Sequence, residues 1–256
     1  MIFENIFLLG GYDLEMTEIR SILIDHGYQI NINLFDKHLT WGAKWSDYND
    51  VVEAHKEKNI SIFGIELKSN NDLPKNCFNI DHHAPLPAQP TSIEQVATVL
   101  KIVLTRKQLL IAANDYGHIN ALKIAGATVE EIIEIRLLDR RAQGVTDEEE
   151  YIANLDIVNP TFIDGITVIN TQIKHFSAIT DKVAYEKLLI YNDNKFCYYG
   201  IGAKYVAENL FKNEIKIGNM YNGGGEHGYL GSAEGIFSKK YIKDVIIEQI
   251  ALFTNG

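Results

Sequence analysis

Apolar runs and amphipathic segments alternate along the N-terminal part of the chain. The apolar runs FENIFLL, ISIFGIEL and CFNID predict buried strands, and the alternating segment YQININ predicts one more. The helical spacing of apolar residues in DLEMTEIRSILIDHG, VVEAHKEKN and TSIEQVATVL predicts helices around these strands. Apolar strands that alternate with helices are typical of a parallel sheet with helices on both faces, so this part predicts an α/β domain.

The C-terminal part has a second set of elements. Residues 105 to about 158 have helical spacing throughout, and Asn159-Pro160 then indicates a boundary. Beyond it GITVINTQ, KFCYYGI and EIKIGNMY predict strands, whereas DKVAYEKLLIYN, AKYVAENLF and YIKDVIIEQIALF predict helices. We therefore expect two domains, an α/β domain at residues 1–158 and a smaller α/β domain at residues 159–256.

Composition and charge narrow the class of protein. Of the 256 residues 46% are hydrophobic, which is enough for one or two cores. The two cysteines fit no metal or disulfide pattern, and no segment predicts a signal peptide or a membrane span, so we expect a cytoplasmic protein. The net charge of −10 argues against long duplex nucleic acid as a partner. It permits a small anionic substrate, and it leaves the oligomeric state open.

Ionisable side chains gather where the predicted strands end. Because ligands bind at the carboxyl ends of parallel strands, we expect these side chains to share one edge of the sheet. They are Asp13 and Glu15, Glu66, Asp81, His82 and His83, and Asp115 with His118. Crowded carboxylates repel one another, and a divalent cation is the simplest compensation. Carboxylates with imidazole suit Mn²⁺, Mg²⁺, Fe²⁺ or Zn²⁺, so the sequence predicts a metal site.

Several of these residues also have an ordinary structural explanation. Asp13 could be the N-cap of the first helix, with Glu15 in its first turn, and Glu66 could be a solvated strand end. Asp115 could likewise cap a helix. Three adjacent ionisable residues at the end of a buried strand are harder to explain by structure alone. The tripeptide Asp81-His82-His83 is therefore the strongest functional candidate.

Two other stretches could bind an anion. The segment YNGGGEHG contains Gly223, Gly224, Gly225 and His227, and its glycines would let backbone N–H groups approach an anion closely. The same glycines could instead form a tight turn. In TWGAKWSDY, Lys44 could supply positive charge to a substrate.

Aromatic and arginine residues have competing interpretations as well. Trp41, Trp45 and Tyr48 could stack on a base, but aromatic side chains in a long loop are more often packing anchors. Arg136, Arg140 and Arg141 have acidic neighbours at helical spacing. We expect these arginines to lie on a solvated helix face.

The segment IDHH, followed by a turn and the helix TSIEQVATVL, resembles the signature of the DHH phosphoesterase superfamily. That group includes RecJ-type nucleases, oligoribonucleases and bisphosphate phosphatases, cyclic-dinucleotide phosphodiesterases and manganese-dependent pyrophosphatases. The order of acidic positions matches the family, and GGGEHG looks like the GGGH-type loop of its C-terminal, DHHA1-like domain. In order and topology the resemblance covers nearly the whole chain.

The chain departs from the family pattern at four places. The first motif has Leu9 where a histidine is usual and Glu15 where a second aspartate is usual. The middle acid is Glu66 instead of aspartate, and Glu226 is inserted before His227. The resemblance therefore indicates a divergent branch, in which one metal site is weaker, absent or rebuilt around His118.

The resemblance implies a metal-dependent phosphoesterase, with Mn²⁺ as the first metal to expect. Its substrate would be a small phosphorylated molecule or a short oligonucleotide with a phosphodiester or phosphomonoester bond. Carried over by motif, Glu66 would bridge two metals, and His83 would contact the scissile phosphate with Asp81 behind the imidazoles. The remaining metal ligands would be Asp13, Glu15, His82 and Asp115, with His118 as a further candidate, and the substrate would be bound by Gly223, Gly224, Gly225, His227 and Lys44.

Two alternatives remain open. The altered first motif is compatible with a metal-dependent hydrolase of another class that uses the same frame. A non-catalytic ligand-binding or regulatory module with a single metal would also retain the fold and the glycine loop.

Overall fold

The computed structural model describes residues 4–40, 42–69, 73–82, 89–223 and 228–254. Contacts divide the chain into two compact units, Met1–Gln143 and Gly144–Gly256. This division precedes the predicted boundary at residue 158, because the helix Asp147–Asp156 packs with the second unit. Ala153 of that helix lies in a core with Ile173 and Ile179. Among the described residues no helix is both long and apolar enough to cross a membrane.

The described part of the first unit contains a parallel sheet of four strands in the order β2-β1-β3-β4, as the sequence predicts. The strands are β1 (Asn5–Leu9), β2 (Leu34–Asp36), β3 (Ser61–Ile65) and β4 (Cys77–Ile80). Its helices are α1 (Leu14–Asp25), α2 (Asn49–His55), α3 (Ser92–Leu100), α4 (Arg106–Ile124) and α5 (Val129–Ala142), and a 3₁₀ helix at Trp45–Tyr48 precedes α2.

The strand predicted at YQININ is wrong in position. The Asn33 side chain accepts a hydrogen bond of 2.7 Å from Gln29 N, and Asn31 has a φ of +61°, so this segment turns. The strand begins only at Leu34. Asparagine favours such turns because its side chain bonds to the local backbone and tolerates positive φ.

Helices cover the two faces of this sheet because the side chains of β1 alternate. Phe7 and Leu9 pack with residues of α1, α3 and α4. Ile6 and Leu8 pack on the opposite face with α2 and with Trp45 and Tyr48 of the 3₁₀ helix, as expected for a doubly covered parallel sheet.

Trp45 and Tyr48 are packing anchors rather than a base-stacking surface. Trp45 is 5% exposed, and its Nε1 donates a hydrogen bond of 3.1 Å to Asn79 Oδ1. Its ring lies over Gly64 so closely that a Cβ there would collide with it. Tyr48 is fully buried, and its hydroxyl donates a hydrogen bond of 2.6 Å to Leu9 O.

The described part of the second unit contains a mixed sheet of six strands in the order β5-β6-β7-β8-β10-β9. The strands are β5 (Thr161–Ile163), β6 (Ile166–Asn170), β7 (Lys187–Tyr191), β8 (Phe196–Gly200), β9 (Met220–Gly223) and β10 (Tyr229–Ser232). The helices are α6 (Asp147–Asp156), α7 (Ser177–Thr180), α8 (Ala203–Asn209), α9 (Lys212–Lys216), α10 (Lys239–Tyr241) and α11 (Ile247–Thr254), with a π-helical segment at Ile242–Ile246 between the last two.

Two predictions for this unit are wrong. The segment DKVAYEKLLIYN is not a helix, because its apolar end forms the central strand β7, with both faces buried between helices. The segment EIKIGNMY divides into the end of α9 and the start of β9 instead of forming one strand. Short apolar runs fit a buried strand and a buried helix equally well, which explains the first error.

Candidate metal centre

Four side chains from separate elements meet at the carboxyl edge of the parallel sheet. Glu15 follows β1 and lies in the first turn of α1, Glu66 follows β3 and His82 follows β4. Asp115 comes from α4. One ligand atom from each of the four lies within 4.8 Å of all the others. Of the eight ionisable residues that the sequence analysis places at this edge, the structure brings these four together.

A close backbone contact holds the loops after β1 and β3 together. A Cβ at Gly10 would lie 2.6 Å from the Glu66 carbonyl oxygen, so only glycine fits there. Glu66 itself has a φ of +55°, a conformation that residues other than glycine rarely adopt. Such strain persists where surrounding structure enforces it, often at functional sites.

The start of α1 directs Glu15 into the site. Asp13 is the N-cap of this helix, and its Oδ1 accepts a hydrogen bond of 2.8 Å from Met16 N. Glu15 is 2% exposed, and its Oε1 accepts a hydrogen bond of 2.9 Å from Ile93 N. The other oxygen, Glu15 Oε2, is buried without a hydrogen bond to any described residue. A buried carboxylate oxygen in this state is costly unless a cation binds it.

The remaining ligand atoms converge near Glu15 Oε2. His82 Nε2 lies 2.6 Å from Asp115 Oδ2 and 3.9 Å from both Glu15 Oε2 and Glu66 Oε1. The first pair is close enough for a strong electrostatic contact. Ser92 Oγ donates a hydrogen bond of 2.9 Å to Glu66 Oε1 and so orients that carboxylate. These short distances are those expected of side chains that direct their ligand atoms at one metal ion.

The electrostatics of the site disfavour its own ionised carboxylates. Burial, followed by the charges of Asp115, Glu66 and Asp13, raises the pKa of Glu15 well above its usual value. Burial and the charges of Asp13 and Asp115 raise the pKa of Glu66 to about 7. For His82, burial lowers the pKa, but the contact and charge of Asp115 outweigh it, so the net pKa is raised. A divalent cation would reverse the effect on the acids, because it favours their charged forms.

This donor set fits a hard or borderline divalent cation. Three carboxylates and one imidazole suit Mn²⁺, Mg²⁺, Fe²⁺ or Zn²⁺, and the orphaned Glu15 Oε2 is accounted for if such an ion binds. Asp13 is outside the group of four, although its charge acts on Glu15 and Glu66.

Other predicted site residues lie elsewhere or outside the described residues. The backbone oxygen of Asp81 accepts a hydrogen bond of 3.2 Å from Gln95 Nε2. Lys44 lines a cavity of about 410 Å³ together with Lys56 and Lys68, and none of the four candidate ligands lines it. Gly223 ends β9. His83, Gly224, Gly225, His227 and Trp41 are outside the described residues.

The arginine prediction is wrong for two of the three residues. Arg136 and Arg140 are buried, with 5% and 6% exposure. Arg136 Nη1 donates hydrogen bonds of 2.8 Å to Asn114 Oδ1 and to Asp139 Oδ2, and it lies 3.1 Å from His118 Nδ1. The sequence shows acids at helical spacing, but it does not show which helix covers them. His118 is consequently a neighbour of Arg136 and is outside the group of four.

Sequence reasoning missed Ser92 and Ile93, which orient Glu66 and Glu15. A signal for both was present in the motif TSIE. The Thr91–Glu94 capping box starts α3 at Ser92, which places Ser92 and the Ile93 N–H at the helix N-terminus, beside the carboxylates.

Comparisons with known proteins bear on the fold. No family model matches the sequence. No curated protein matches it either. The solved pGpG-specific phosphodiesterase PggH from Vibrio cholerae aligns with 98% of this chain and 99% of its own, at 10% identity and a TM-score of 0.51. The solved DHH domain of a member of a ribosomal protein family aligns over 97% of this chain and 87% of its own, at 10% identity and a TM-score of 0.51.

RecJ from Thermus thermophilus, solved with Mn²⁺, is also similar, at 11% identity and a TM-score of 0.45. The alignment covers 98% of this chain but 52% of RecJ, so the chain spans about half the length of that protein. At these identities the shared property is the fold. The chain has the fold of the DHH-domain proteins, and the fold expected from the resemblance is confirmed.

Proposed function

We propose that the chain is a metal-dependent phosphoesterase that acts on a small phosphorylated molecule or a short oligonucleotide. The observation that carries this proposal is the group of Glu15, Glu66, His82 and Asp115 at the carboxyl edge of a DHH-type sheet. A divalent cation, when bound there, would lower the pKa of a coordinated water and stabilise charge on a phosphoryl group. Hydrolysis of a phosphoester needs both effects.

The chain's own residues would hold that cation and keep its ligands oriented. Glu15 Oε2 is buried and available for a metal, while Glu15 Oε1 is fixed by Ile93 N. Ser92 Oγ donates a hydrogen bond to Glu66 Oε1 and so orients that carboxylate. Side chains that hydrogen bonds already orient lose less conformational freedom when the metal binds, which increases the affinity for the metal.

Three further features of the family mechanism remain predictions for this chain. They are a second cation with Asp13 as a ligand, the contact of His83 with the scissile phosphate, and substrate binding by the glycine loop. The group of four accounts for one cation.

A small substrate is favoured over long nucleic acid by charge. The net charge of −10 repels an extended polyphosphate backbone, whereas a substrate with few phosphates can be neutralised by the metal itself. The similar structure of PggH is described as specific for pGpG, so a linear dinucleotide is the first substrate to test.

The test is an assay of the purified protein with Mn²⁺ against pyrophosphate, a 3′,5′-bisphosphorylated nucleoside, cyclic dinucleotides and pGpG. Metal content is measured on the same samples. Glu15→Gln should lose both metal and product formation, since the amide cannot supply the anionic oxygen. Glu18→Gln, one turn along α1, is the matched control and should retain both, because Glu18 is outside the group of four and accepts a hydrogen bond from Gln108.

The other outcomes separate the alternatives. Metal bound with no product from any substrate would favour a binding module or a hydrolase of another class. Wild-type protein that binds no Mn²⁺, Mg²⁺, Fe²⁺ or Zn²⁺ would contradict the proposal.

A further inference from the structure

Helix α4 is broken close to the metal ligand Asp115. Gly117 (φ −167°, ψ 30°) and His118 (φ 51°, ψ −142°) have non-helical conformations inside it. For a histidine this backbone conformation is strained, and such strain is retained only where surrounding contacts impose it. The break turns the chain at His118, three positions after Asp115, and leaves the His118 side chain exposed.

Buried Arg136 is the contact that fixes the His118 ring. Arg136 Nη1 lies 3.1 Å from His118 Nδ1 and 2.8 Å from Asn114 Oδ1, so it bridges the two sides of the break. Asp139 Oδ2 accepts another hydrogen bond of 2.8 Å from the same nitrogen. Gln143 Nε2 donates to Asp139 Oδ2 at 3.1 Å, which holds the carboxylate in place. The guanidinium is therefore anchored before it meets the imidazole.

The chemistry of the guanidinium decides which histidine nitrogen carries the proton. Arg136 Nη1 has two hydrogens and three neighbours within 3.1 Å, so His118 Nδ1 shares one of these hydrogens, and it does so as the acceptor because a guanidinium nitrogen cannot accept a hydrogen bond. An imidazole that accepts at Nδ1 carries its proton on Nε2. With Nδ1 occupied and Nε2 protonated, His118 has no lone pair for a metal, but it presents an N–H donor.

We propose that His118 is a substrate-binding residue whose Nε2–H donates a hydrogen bond to an anionic phosphoryl oxygen of the substrate, and that Arg136 is its positioning residue. The inference rests on the proposed function and assigns a role within the same site. A phosphoryl group has more anionic oxygens than the cation covers, and the carboxylates Glu15, Glu66 and Asp115 cannot donate to them. An exposed donor three positions along the chain from Asp115 meets this need.

The first test is nuclear magnetic resonance of the full chain labelled with ¹⁵N-histidine, in Mg²⁺ because it is diamagnetic. The His118 signals are assigned by their loss in His118→Gln. We expect the Nε2-protonated tautomer before any ligand is added. Addition of inorganic phosphate should then shift Nε2–H, whereas Mg²⁺ alone should leave the His118 ring nitrogens unshifted.

Variants separate positioning from mere folding. Arg136→Met should leave a mixture of His118 tautomers and weaken phosphate binding about tenfold, the effect of one charge-assisted hydrogen bond, without changing Mg²⁺ affinity. Arg141→Met, on the exposed side of α5, is the matched control and should change neither the His118 tautomer nor phosphate binding. If Arg136→Met does not fold, the exposed His118→Ala should show the same loss, and His118→Gln, whose amide still donates, should recover part of it.

Four results would overturn the proposal. They are an Nδ1-protonated His118, a His118 nitrogen shifted by Mg²⁺ alone as a ligand would be, a His118 signal indifferent to phosphate, and failure of wild-type protein with Mg²⁺ to bind phosphate. The phosphoesterase proposal fails separately, on absence of product in the Mn²⁺ assay, because the tautomer and phosphate measurements need no turnover.

Discussion

Two glutamates, the buried Glu15 in the first unit and the partly buried Glu149 in the second, have opposite electrostatic environments. Glu15 in the first unit has a pKa raised by burial and by neighbouring acids, and its Oε2 has no hydrogen bond to a described residue. For Glu149 in the second unit, burial alone would raise the pKa, but hydrogen bonds from His175, Lys174 and Thr146 lower it to about 2. The contrast separates a carboxylate that completes the fold from one that needs a further ligand.

The contacts of Glu149 explain its structural role. Its Oε1 accepts from Lys174 N at 2.8 Å and from His175 N at 3.1 Å, and its Oε2 accepts from Thr146 N at 3.2 Å and from His175 Nδ1 at 2.9 Å. One side chain thus caps α6 and ties it to the segment after β6. Both oxygens of Glu149 thus accept hydrogen bonds from donors inside the second unit. The carboxylates near His82, in contrast, face one another.

Gly10→Ala should have the largest effect, because it breaks the frame that brings Glu66 beside Glu15. A Cβ at Gly10 would collide with the backbone oxygens of Ile65 and Glu66, and neither can move without displacing β3. We expect a loss of about 3 kcal/mol or more in the free energy of unfolding and no measurable Mn²⁺ binding. Urea denaturation and metal titration measure the two effects.

Gly11→Ala is the control for that substitution. A Cβ at Gly11 would make only an ordinary contact, 3.5 Å from Glu66 Oε2. This variant should keep most of its stability and bind Mn²⁺. Equal behaviour of the two variants would show that the contact between the loops does not build the site.

Glu149→Ala tests the satisfied member of the comparison. It removes a helix cap and the link to Lys174 and His175, so we expect a loss of about 2–3 kcal/mol in the stability of the second unit. Hydrogen exchange of peptides from residues 144–254 in urea measures it. Glu148→Ala, at the exposed neighbouring position of α6, should cost much less. Mn²⁺ affinity should be unchanged in both variants.

The sign of the pH dependence follows from the lowered pKa of Glu149. Its contribution to stability is complete above the unfolded value of about 4.5, and it decreases as the pH falls towards about 2. The difference between wild type and Glu149→Ala should therefore shrink over that interval. A difference that stays constant down to pH 2 would contradict the assignment of Glu149 as an ionised cap.

Glu66→Gln tests the first-unit side of the comparison at a carboxylate next to Glu15, and its effect on stability should have the opposite sign. The folded pKa of Glu66 is about 7, so in metal-free protein its ionisation destabilises the fold as the pH rises from about 4.5 through 7. With EDTA at pH 8 the variant should be more stable than wild type by about 3 kcal/mol, and at about pH 4 the difference should nearly vanish.

Excess Mn²⁺ at pH 8 should make the wild type more stable than Glu66→Gln, because only the wild type retains the full set of metal ligands. Glu57→Gln, at an exposed position, is the control and should show no pH-dependent difference. Urea denaturation under the three conditions measures these differences in the free energy of unfolding. A variant less stable than wild type in EDTA at pH 8 would show that the crowding of carboxylates at the site is not costly.

The same comparison shows how far the sequence alone could lead. The apolar runs that form β1, β3 and β4 have the clearest pattern, and the parallel topology follows from them. The meeting of Glu15, Glu66 and His82 then follows from the geometry of strand ends, whereas Asp115 reaches the group from α4. A local sequence pattern carries this information because the chain must end each strand at the same edge.

The features that escaped prediction depend on contacts between distant segments. The burial of Arg136 is determined by α4, and the apolar run of β7 becomes a strand because β6 and β8 lie beside it. The four donors of Glu149 come from two separate segments. Spacing within one segment cannot report which other segment will pack against it.

Ser92→Ala should have the smallest effect and sharpen the comparison most, because it removes the hydrogen bond that Ser92 donates to Glu66 Oε1. Ser92 is fully buried, and the loss of its hydroxyl gives the Glu66 carboxylate more freedom to rotate, so Mn²⁺ affinity should fall about tenfold. Thr98→Ala, also on α3, removes a hydroxyl that donates to Glu94 O at 3.0 Å and should not change the Mn²⁺ affinity. Calorimetric titration with Mn²⁺ measures both. Unchanged Mn²⁺ affinity in Ser92→Ala would mean that the strained backbone of Glu66 determines its position. The Ser92 hydrogen bond would then have no part in orienting Glu66, whereas the donors to Glu149 hold that side chain in place.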